Sequence, residues 1–205
     1  LASIGFLISL SFLTHLFFNH GYLHNLIIIV FGLFFFIIFF KKYLVFLKKY
    51  SKIFILIFGI LIVAFLTYKT HDDFPYYHFP YTFYLTQENL IIGTGNLNHG
   101  FRTPSSLFYL NSLFYLPAVK FYSFHIGALI IFGVSNLILI FKLKNDYDLK
   151  RYDFIFILTL LAFLFINIFF YRLSEHGTDR SAQILIFILF IEILSLIRNN
   201  VINNK

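Results

Sequence analysis

Residues Leu26-Ile27-Ile28-Ile29-Val30-Phe31-Gly32-Leu33-Phe34-Phe35-Phe36-Ile37-Ile38-Phe39-Phe40 form an apolar run with no charged side chain and a single glycine. A helix that is apolar on every side has to be covered on every side, by protein or by lipid. The run is therefore read as a membrane span. Similar runs occur at residues 2–18, 53–68, 123–141, 154–171 and 181–197, which makes six expected spans. Several are short for a hydrocarbon layer of about 30 Å, which takes about 20 helical residues, but flanking Tyr, Lys and Arg can extend them by snorkelling.

Composition agrees with that reading. Of 205 residues, 60% are hydrophobic and 12% charged, 32 are Phe, and mean hydropathy is +0.83. A soluble fold is excluded on these grounds. The expected fold is all-α: one transmembrane domain over residues 1–205, a polytopic bundle of about six spans with amphipathic surface helices in a large outward loop. Cysteine is absent, which rules out disulfides and thiolate metal sites. The chain opens on Leu1 and has no Met, so it is expected to be a fragment of a longer one. Residues 1–18 lack a basic flank and a small-residue cleavage site, and are not read as a signal peptide.

The net charge of +7 lies in short clusters beside the apolar runs, not along a polar face. No nucleic-acid partner is expected; the bilayer is. Lys41, Lys42, Lys48, Lys49 and Lys52 crowd the second loop, and Lys142, Lys144, Lys150 and Arg151 the fourth. Arg198 and Lys205 follow the last span. The positive-inside rule places those segments in the cytoplasm and the loops 19–25, 69–122 and 171–180 outside, in the periplasm if the membrane is a bacterial inner membrane. The run Leu107 to Val119 is too short for a seventh span and is closed by Pro117. It is expected to lie on the outer surface as an amphipathic helix, with Asn111, Ser112 and Lys120 on its polar side.

Charge is scarce, so the outward loops are where chemistry is expected. In His71-Asp72-Asp73-Phe74-Pro75 an Asp is expected to cap a helix, with Pro tolerated in the first turn; bound at a helix start, the carboxylate stays ionised. Pro80 is expected to bend or restart that helix, which continues with His78, a dense set of Tyr and Phe, and Glu88 at its end. Gly93-Thr94-Gly95-Asn96 reads as a turn, not as a dinucleotide-binding loop, because no strand precedes it. Asn98-His99-Gly100-Phe101-Arg102 then sets an imidazole and a guanidinium three residues apart. Arg suits a phosphate because its planar fork donates two hydrogen bonds at once.

The fifth loop, Tyr171 to Arg180, adds Arg172, Glu175, His176, Asp179 and Arg180 on the same side of the membrane. Structural readings stand beside each of these. Asp72 and Asp73 are alternatively a cap and a solvated charge, Arg102 an anchor to lipid headgroups, His78 and His99 interfacial polar residues, and Thr178 or Asp179 the cap of the last span. Glu192 is expected at the cytoplasmic interface near Arg198. Asn136 and Asn167 are expected to hydrogen-bond between helices. His15 and His125 are assigned no role.

The order of these parts resembles the GT-C superfamily of integral membrane glycosyltransferases, which use polyprenyl-phosphate sugars. The likeness covers residues 53–141: the span 53–68, then Asp72-Asp73, then the two surface helices, with Asn98 to Ser105 as a loose version of that family's His/Pro-containing stretch. Two spans precede the acidic loop here, where the usual pattern has one. The chain also resembles bacterial multi-span membrane proteins, a likeness that carries no chemistry.

The resemblance implies that a sugar is transferred from a polyprenyl-phosphate donor to an envelope acceptor at the outer face. It implies Asp72 or Asp73 either as general base for an acceptor hydroxyl or as the group that orients a divalent metal ion, and leaves open whether such a cofactor is used. His78, Glu88, His99, Arg102, Lys120, Arg172, Glu175, His176, Asp179 and Arg180 are the expected substrate-binding residues. The alternatives are an envelope polysaccharide polymerase or ligase, and a non-enzymatic transporter or structural membrane protein. A transporter is expected to carry broken polar helices at mid-membrane, and none is visible.

Overall fold

Helices form where the apolar runs lie, and their ends fall at the polar punctuation between them. The computed structural model describes residues 1–39, 43–66, 73–169 and 178–203. In chain order these hold α1 (Ala2–His15), α2 (Tyr22–Phe39) and α3 (Tyr43–Leu66). A π-helical segment (Phe74–His78) then runs directly into α4 (Phe79–Gln87). Two 3-10 turns (Thr94–Asn96 and His99–Phe101), α5 (Ser106–Ser112) and a third 3-10 turn (Lys120–Ser123) lead to α6 (Ile126–Asp148), α7 (Phe154–Phe169) and α8 (Thr178–Asn203). No strand occurs among the described residues.

Three helices are long and apolar enough to cross a membrane: α2, the stretch Lys120–Asp148 built on α6, and Asp179–Asn199 within α8. They are compatible with an integral membrane protein. The expectation of six spans is corrected to these three among the described residues, and length is the reason. The 14 residues of α1 and the 16 of α7 rise only about 21 and about 24 Å. In α3 the apolar stretch that follows Lys52 runs from Ile53 to Leu66, again about 21 Å.

At the centre stands α6, which touches α3, α5, α7 and α8. Its buried Ala128, Leu129, Ile131, Phe132 and Leu139 meet Ile166 of α7 and Ile184, Ile188 and Ile191 of α8, the last three at the i, i+4, i+7 spacing of one helix face. Gly133 lets α3 approach: a β-carbon there would stand 2.8 Å from Leu61 Cδ1 and 2.9 Å from Phe58 Cε1. Close contact of this kind does in lipid what burial from water does in a soluble core. As expected, Asn167 Nδ2 donates to Asn136 Oδ1 at 2.7 Å and ties α7 to α6. By contrast α2 buries only Asn25 and leaves Val30, Phe34, Ile37 and most of its other side chains exposed.

One end of the bundle is latched by ions. Arg198 of α8 donates from Nη2 to Asp146 of α6 (2.9 and 3.1 Å) and from Nη1 to Asp153 before α7 (3.2 and 3.1 Å). Glu192 lies beside them, paired with Lys142 at 3.1 Å, while Lys142 also donates to Ser195 Oγ at 2.7 Å. Asp153 is held below the usual carboxylate range: burial alone would raise it, but the Phe156 N–H bond and the Arg198 guanidinium outweigh burial.

The surface helix expected over residues 107–119 is not there. In its place α5 is a seven-residue helix with Leu107, Phe108, Tyr109, Leu110, Asn111 and Ser112 all buried, packed against α1, α4 and α6. It starts on a Ser105 cap, whose Oγ accepts from Leu107 N at 3.2 Å. Its polar residues turn inward: Asn111 Oδ1 accepts the Gly127 N–H at 3.0 Å and so caps the start of α6. Lys120 alone of the expected polar side is exposed, with a left-handed backbone at φ +48°.

Candidate functional site

Pro80 shapes the segment that follows the acidic pair. A proline inside a helix has no N–H for the carbonyl four residues back and its ring crowds that carbonyl. Here the carbonyl is that of Tyr76, and the chain widens into the π-helical turn Phe74–His78 before α4 begins. Asn98 Nδ2 supplies the missing donor to the Tyr76 carbonyl at 3.1 Å. The expected restart at Pro80 is thus a change of helix type, closed by a side chain from the next loop.

Asp73 precedes this segment with helical backbone angles, and its side chain makes no capping bond. The expected cap is therefore corrected at Asp73: the carboxylate turns to the Tyr77 phenol one turn on. Tyr77 is raised above the ordinary phenol range by burial first, then by the charges of Asp73 and Asp179 and by the hydrogen bond to Asp73. Asp179, which opens α8, therefore acts on the same ring as Asp73, 106 positions away in the chain.

The loop after α4 is moulded onto that ring. Gly93 turns the chain at φ +91°, a conformation that favours glycine. Asn98 Oδ1 accepts the Gly100 N–H at 2.8 Å, while its amide holds Tyr76. Gly100 lies flat on Tyr77, so a β-carbon there would overlap the ring. Phe101 packs edge-on to Tyr81 with centroids 5.1 Å apart. Arg102 is exposed, and its Nε donates to the Gly95 carbonyl at 3.2 Å. His99 is exposed beside it.

The remaining expected residues scatter. His78 is buried, its ring 4.3 Å from that of Tyr77 and 5.3 Å from that of Phe108, the setting of a packed core ring. Glu88 is exposed where α4 ends, and Lys120 is exposed before α6. Asp179 is exposed and Arg180 half-buried in the first turn of α8. Asp72, Arg172, Glu175 and His176 lie outside the described residues. Among the described residues no three His, Asp or Glu side chains come together as metal ligands.

A second polar cluster, which the sequence reading passed over, joins α1, α2 and α5. His20 is fully buried, with Nε2 facing the Ser11 carbonyl at 3.1 Å and Nδ1 2.6 Å from Ser112 Oγ. A carbonyl can only accept, so the neutral ring carries its proton on Nε2, and the one hydrogen of the Ser112 hydroxyl is shared between Nδ1 and the Tyr109 carbonyl at 2.8 Å. Burial, then the imidazoles of His24 and His15, hold the His20 pKa down at about 3, against a smaller pull the other way from the Ser11 backbone. His24 stacks on His20 with centroids 4.9 Å apart, and His15 tilts against it at 5.1 Å. The Phe18 backbone lies near enough to act on His15, yet neither nitrogen of that buried ring reaches a partner at hydrogen-bonding geometry.

Asn25 holds the cluster in place. Its amide nitrogen donates to the carbonyls of His20 (2.8 Å), Ser112 (2.9 Å) and Tyr115 (3.0 Å). The signal was visible in the sequence as His15, Asn19, His20, His24 and Asn25 crowded between two apolar runs. Every one of them is neutral, and a search by charge overlooks them.

The arrangement thus spans the chain: α1 and α2 supply the imidazoles, residues 73–102 the carboxylate, phenol and guanidinium, and α8 the second carboxylate. No curated protein and no solved structure matches it. A family model does, and it covers the same full extent: the domain of unknown function DUF8201 matches residues 1–205, and the chain belongs to that family.

Proposed function

We propose that the chain is a membrane glycosyltransferase that moves a sugar from a polyprenyl-phosphate donor to an envelope acceptor, with residues 19–25, 69–122 and 171–180 on the outer, periplasmic side of a bacterial inner membrane. The observation that carries the reading is the Asp73 carboxylate bonded to the Tyr77 phenol, with the charge of Asp179 felt at that ring, next to a loop that lays Gly100 on the ring and presents His99 and Arg102. Carboxylates from two distant segments are held at one end of a lipid-embedded bundle, and the basic latch of Lys142 and Arg198 occupies the other.

The chemistry follows from these groups. A carboxylate at Asp73 takes the proton of the acceptor hydroxyl as that oxygen bonds to the anomeric carbon. The bond from the anomeric carbon to the phosphate oxygen breaks, and polyprenyl phosphate leaves with its electron pair. Charge stabilisation at the leaving phosphate matters more than protonation, and Arg102 is suited to it. Tyr77 positions the carboxylate. Asp72 is the neighbouring acid of the expected pair. No step is routed through a cation.

The test is transfer of radiolabelled sugar by the chain reconstituted in liposomes, using a panel of polyprenyl-phosphate hexoses and pentoses. Asp73→Asn, and the double change with Asp72→Asn, are expected to lower turnover by at least about 100-fold with insertion unchanged, the scale of losing a general base. Arg102→Ala is expected to raise the donor KM more than Arg102→Lys does. Full turnover in the double variant removes the acids from the mechanism. Polymer growth on a lipid-linked oligosaccharide, with no use of the monosaccharide donors, would favour the polymerase reading. Passage of sugar across the bilayer without transfer would favour the transporter.

A further inference from the structure

The loop between α4 and α5 carries an apolar tip that the protein itself does not cover. Ile92 is 94% exposed and Leu97 84%, with Leu90 and Ile91 about half exposed between them and α4. No Asp, Glu, Lys or Arg occurs from Asn89 to Phe101. Exposed aliphatic side chains in such density are uncommon on a surface that faces water.

The tip is braced. Tyr84 Oη donates to the Asn89 carbonyl at 3.1 Å, and Leu90 N donates to the His15 carbonyl at the end of α1 at 3.3 Å. The left-handed turn at Gly93 and the Asn96 N–H to Gly93 carbonyl bond at 2.9 Å return the chain. The bond to His15 ties the foot of the tip to the end of α1, where Phe17 and Phe18 follow, 69% and 62% exposed just before α2. Asn19 Nδ2 donates to the Gln87 carbonyl at 2.9 Å and so ties the foot of the same loop to the approach to α2, whose side chains are mostly exposed and whose length and composition suit a membrane crossing.

We propose that residues 90–97 form a finger that inserts into the outer boundary of the same bilayer that α2 crosses, with acyl chains as its occupant. An apolar segment at that boundary lies about 5–10 Å deep, at the junction of headgroups and chains. Arg102, seven positions on and clipped by its Nε to the Gly95 carbonyl of the finger, is then held at the level of lipid phosphates. The inference rests on the membrane-spanning character of the chain and not on the glycosyltransferase reading.

The chain contains no Trp, so one introduced Trp reports on its own surroundings. The full chain with Ile92→Trp, and separately with Leu97→Trp, is placed at one copy per nanodisc of phosphatidylcholine and phosphatidylglycerol; Leu33→Trp within α2 is the reference for a buried crossing. Insertion predicts blue-shifted emission, strong quenching by lipids brominated on the acyl chain, and weak quenching by acrylamide. Adding Ile91→Asp to Leu97→Trp is expected to reverse all three. Red-shifted emission with strong acrylamide quenching in both single variants overturns the proposal. Shielding from acrylamide without bromine quenching also overturns it, and points to a protein partner; if such shielding appears only when two copies share a disc, the partner is a second copy of the chain.

Discussion

Arg198 closes on two carboxylates at one end of the bundle, Asp146 and Asp153, at 2.9 to 3.2 Å, whereas at the other end Asp73 meets a phenol and Arg102 a backbone carbonyl. Opposite charges that neutralise each other at short range make a joint: each is satisfied by the other and neither has much left to offer a ligand. The Arg102 guanidinium, bonded through Nε, keeps both terminal nitrogens as donors that a substrate can use. The histidine cluster beneath Tyr109 is a third arrangement, in which burial keeps the imidazole of His20 neutral. The first and third arrangements thus act as fasteners, and the second is the one proposed to work on a substrate.

The largest effect is expected from the fastener. The Asp146 side chain is 1% exposed, and Asp146→Asn leaves a buried guanidinium half satisfied. Breaking such a pair from one side costs about 3–5 kcal/mol. Asp153, 42% exposed, is the internal control: Asp153→Asn should cost at most about 1 kcal/mol. Thermal unfolding in detergent, followed by circular dichroism, measures both. Equal losses would mean that burial does not separate the two halves of the latch.

At the other end the matching element is neutral. Asn25 serves three carbonyls of the α1–α2 turn and the α5 segment, and Asn25→Leu takes this donor from the carbonyls of His20 and Tyr115, while that of Ser112 keeps the Tyr115 N–H at 3.2 Å. A loss of about 2–3 kcal/mol is expected, from the cost of buried acceptors left without donors. Hydrogen exchange should show it first in residues 16–25 and 109–115, with the latch protected; uniform loss of protection across the chain would contradict a local role.

The two ends should also part company in acid. His20 has a pKa of about 3 in the folded chain against an ordinary value of 6.5, so between those values the unfolded chain binds the extra proton. Its contribution is fully present above about pH 6.5 and is lost as pH falls towards about 3. Asp153 is lowered from 3.8, so its contribution is present above about pH 3.8 and is lost only below that. Stability measured against pH should therefore begin to fall near 6.5, and His20→Gln should remove that first decline while leaving the later one.

How much of this was legible beforehand depended on whether the deciding interaction was local. The apolar runs marked the helices because a bilayer or a core leaves an apolar segment few alternatives, but they overstated the crossings: 14 apolar residues and 21 look alike until the caps are known. Leu107 to Val119 misled for a related reason. A short helix apolar on all sides is buried, and the reading of it as amphipathic rested on Asn111 and Ser112, which bond inward to Gly127, Tyr109 and His20. Glu192 was placed at its interface because Arg198 lies close in sequence, yet each chose a partner some 50 positions away, Lys142 and Asp146, which spacing does not disclose. Likewise Asp73 suggests a cap by position, and only the fold turns its carboxylate to Tyr77.

The smallest expected effect tests the junction between the two ends. Asn136 and Asn167 are each expected to hydrogen-bond between helices because a lone amide in an apolar helix needs a partner, and the fold makes them each other's partner at 2.7 Å. Each side chain also donates to a carbonyl four residues back in its own helix, Asn136 to Phe132 and Asn167 to Phe163, so loss of the partner leaves a local substitute. Hydrogen bonds between membrane helices average about 0.6 kcal/mol, with about 1.7 at the upper end. A double-mutant cycle with Asn136→Leu and Asn167→Leu should return a coupling in that range. A coupling of zero would mean that the local carbonyls suffice, and that α7 is held to α6 by packing and by the latch at Asp153.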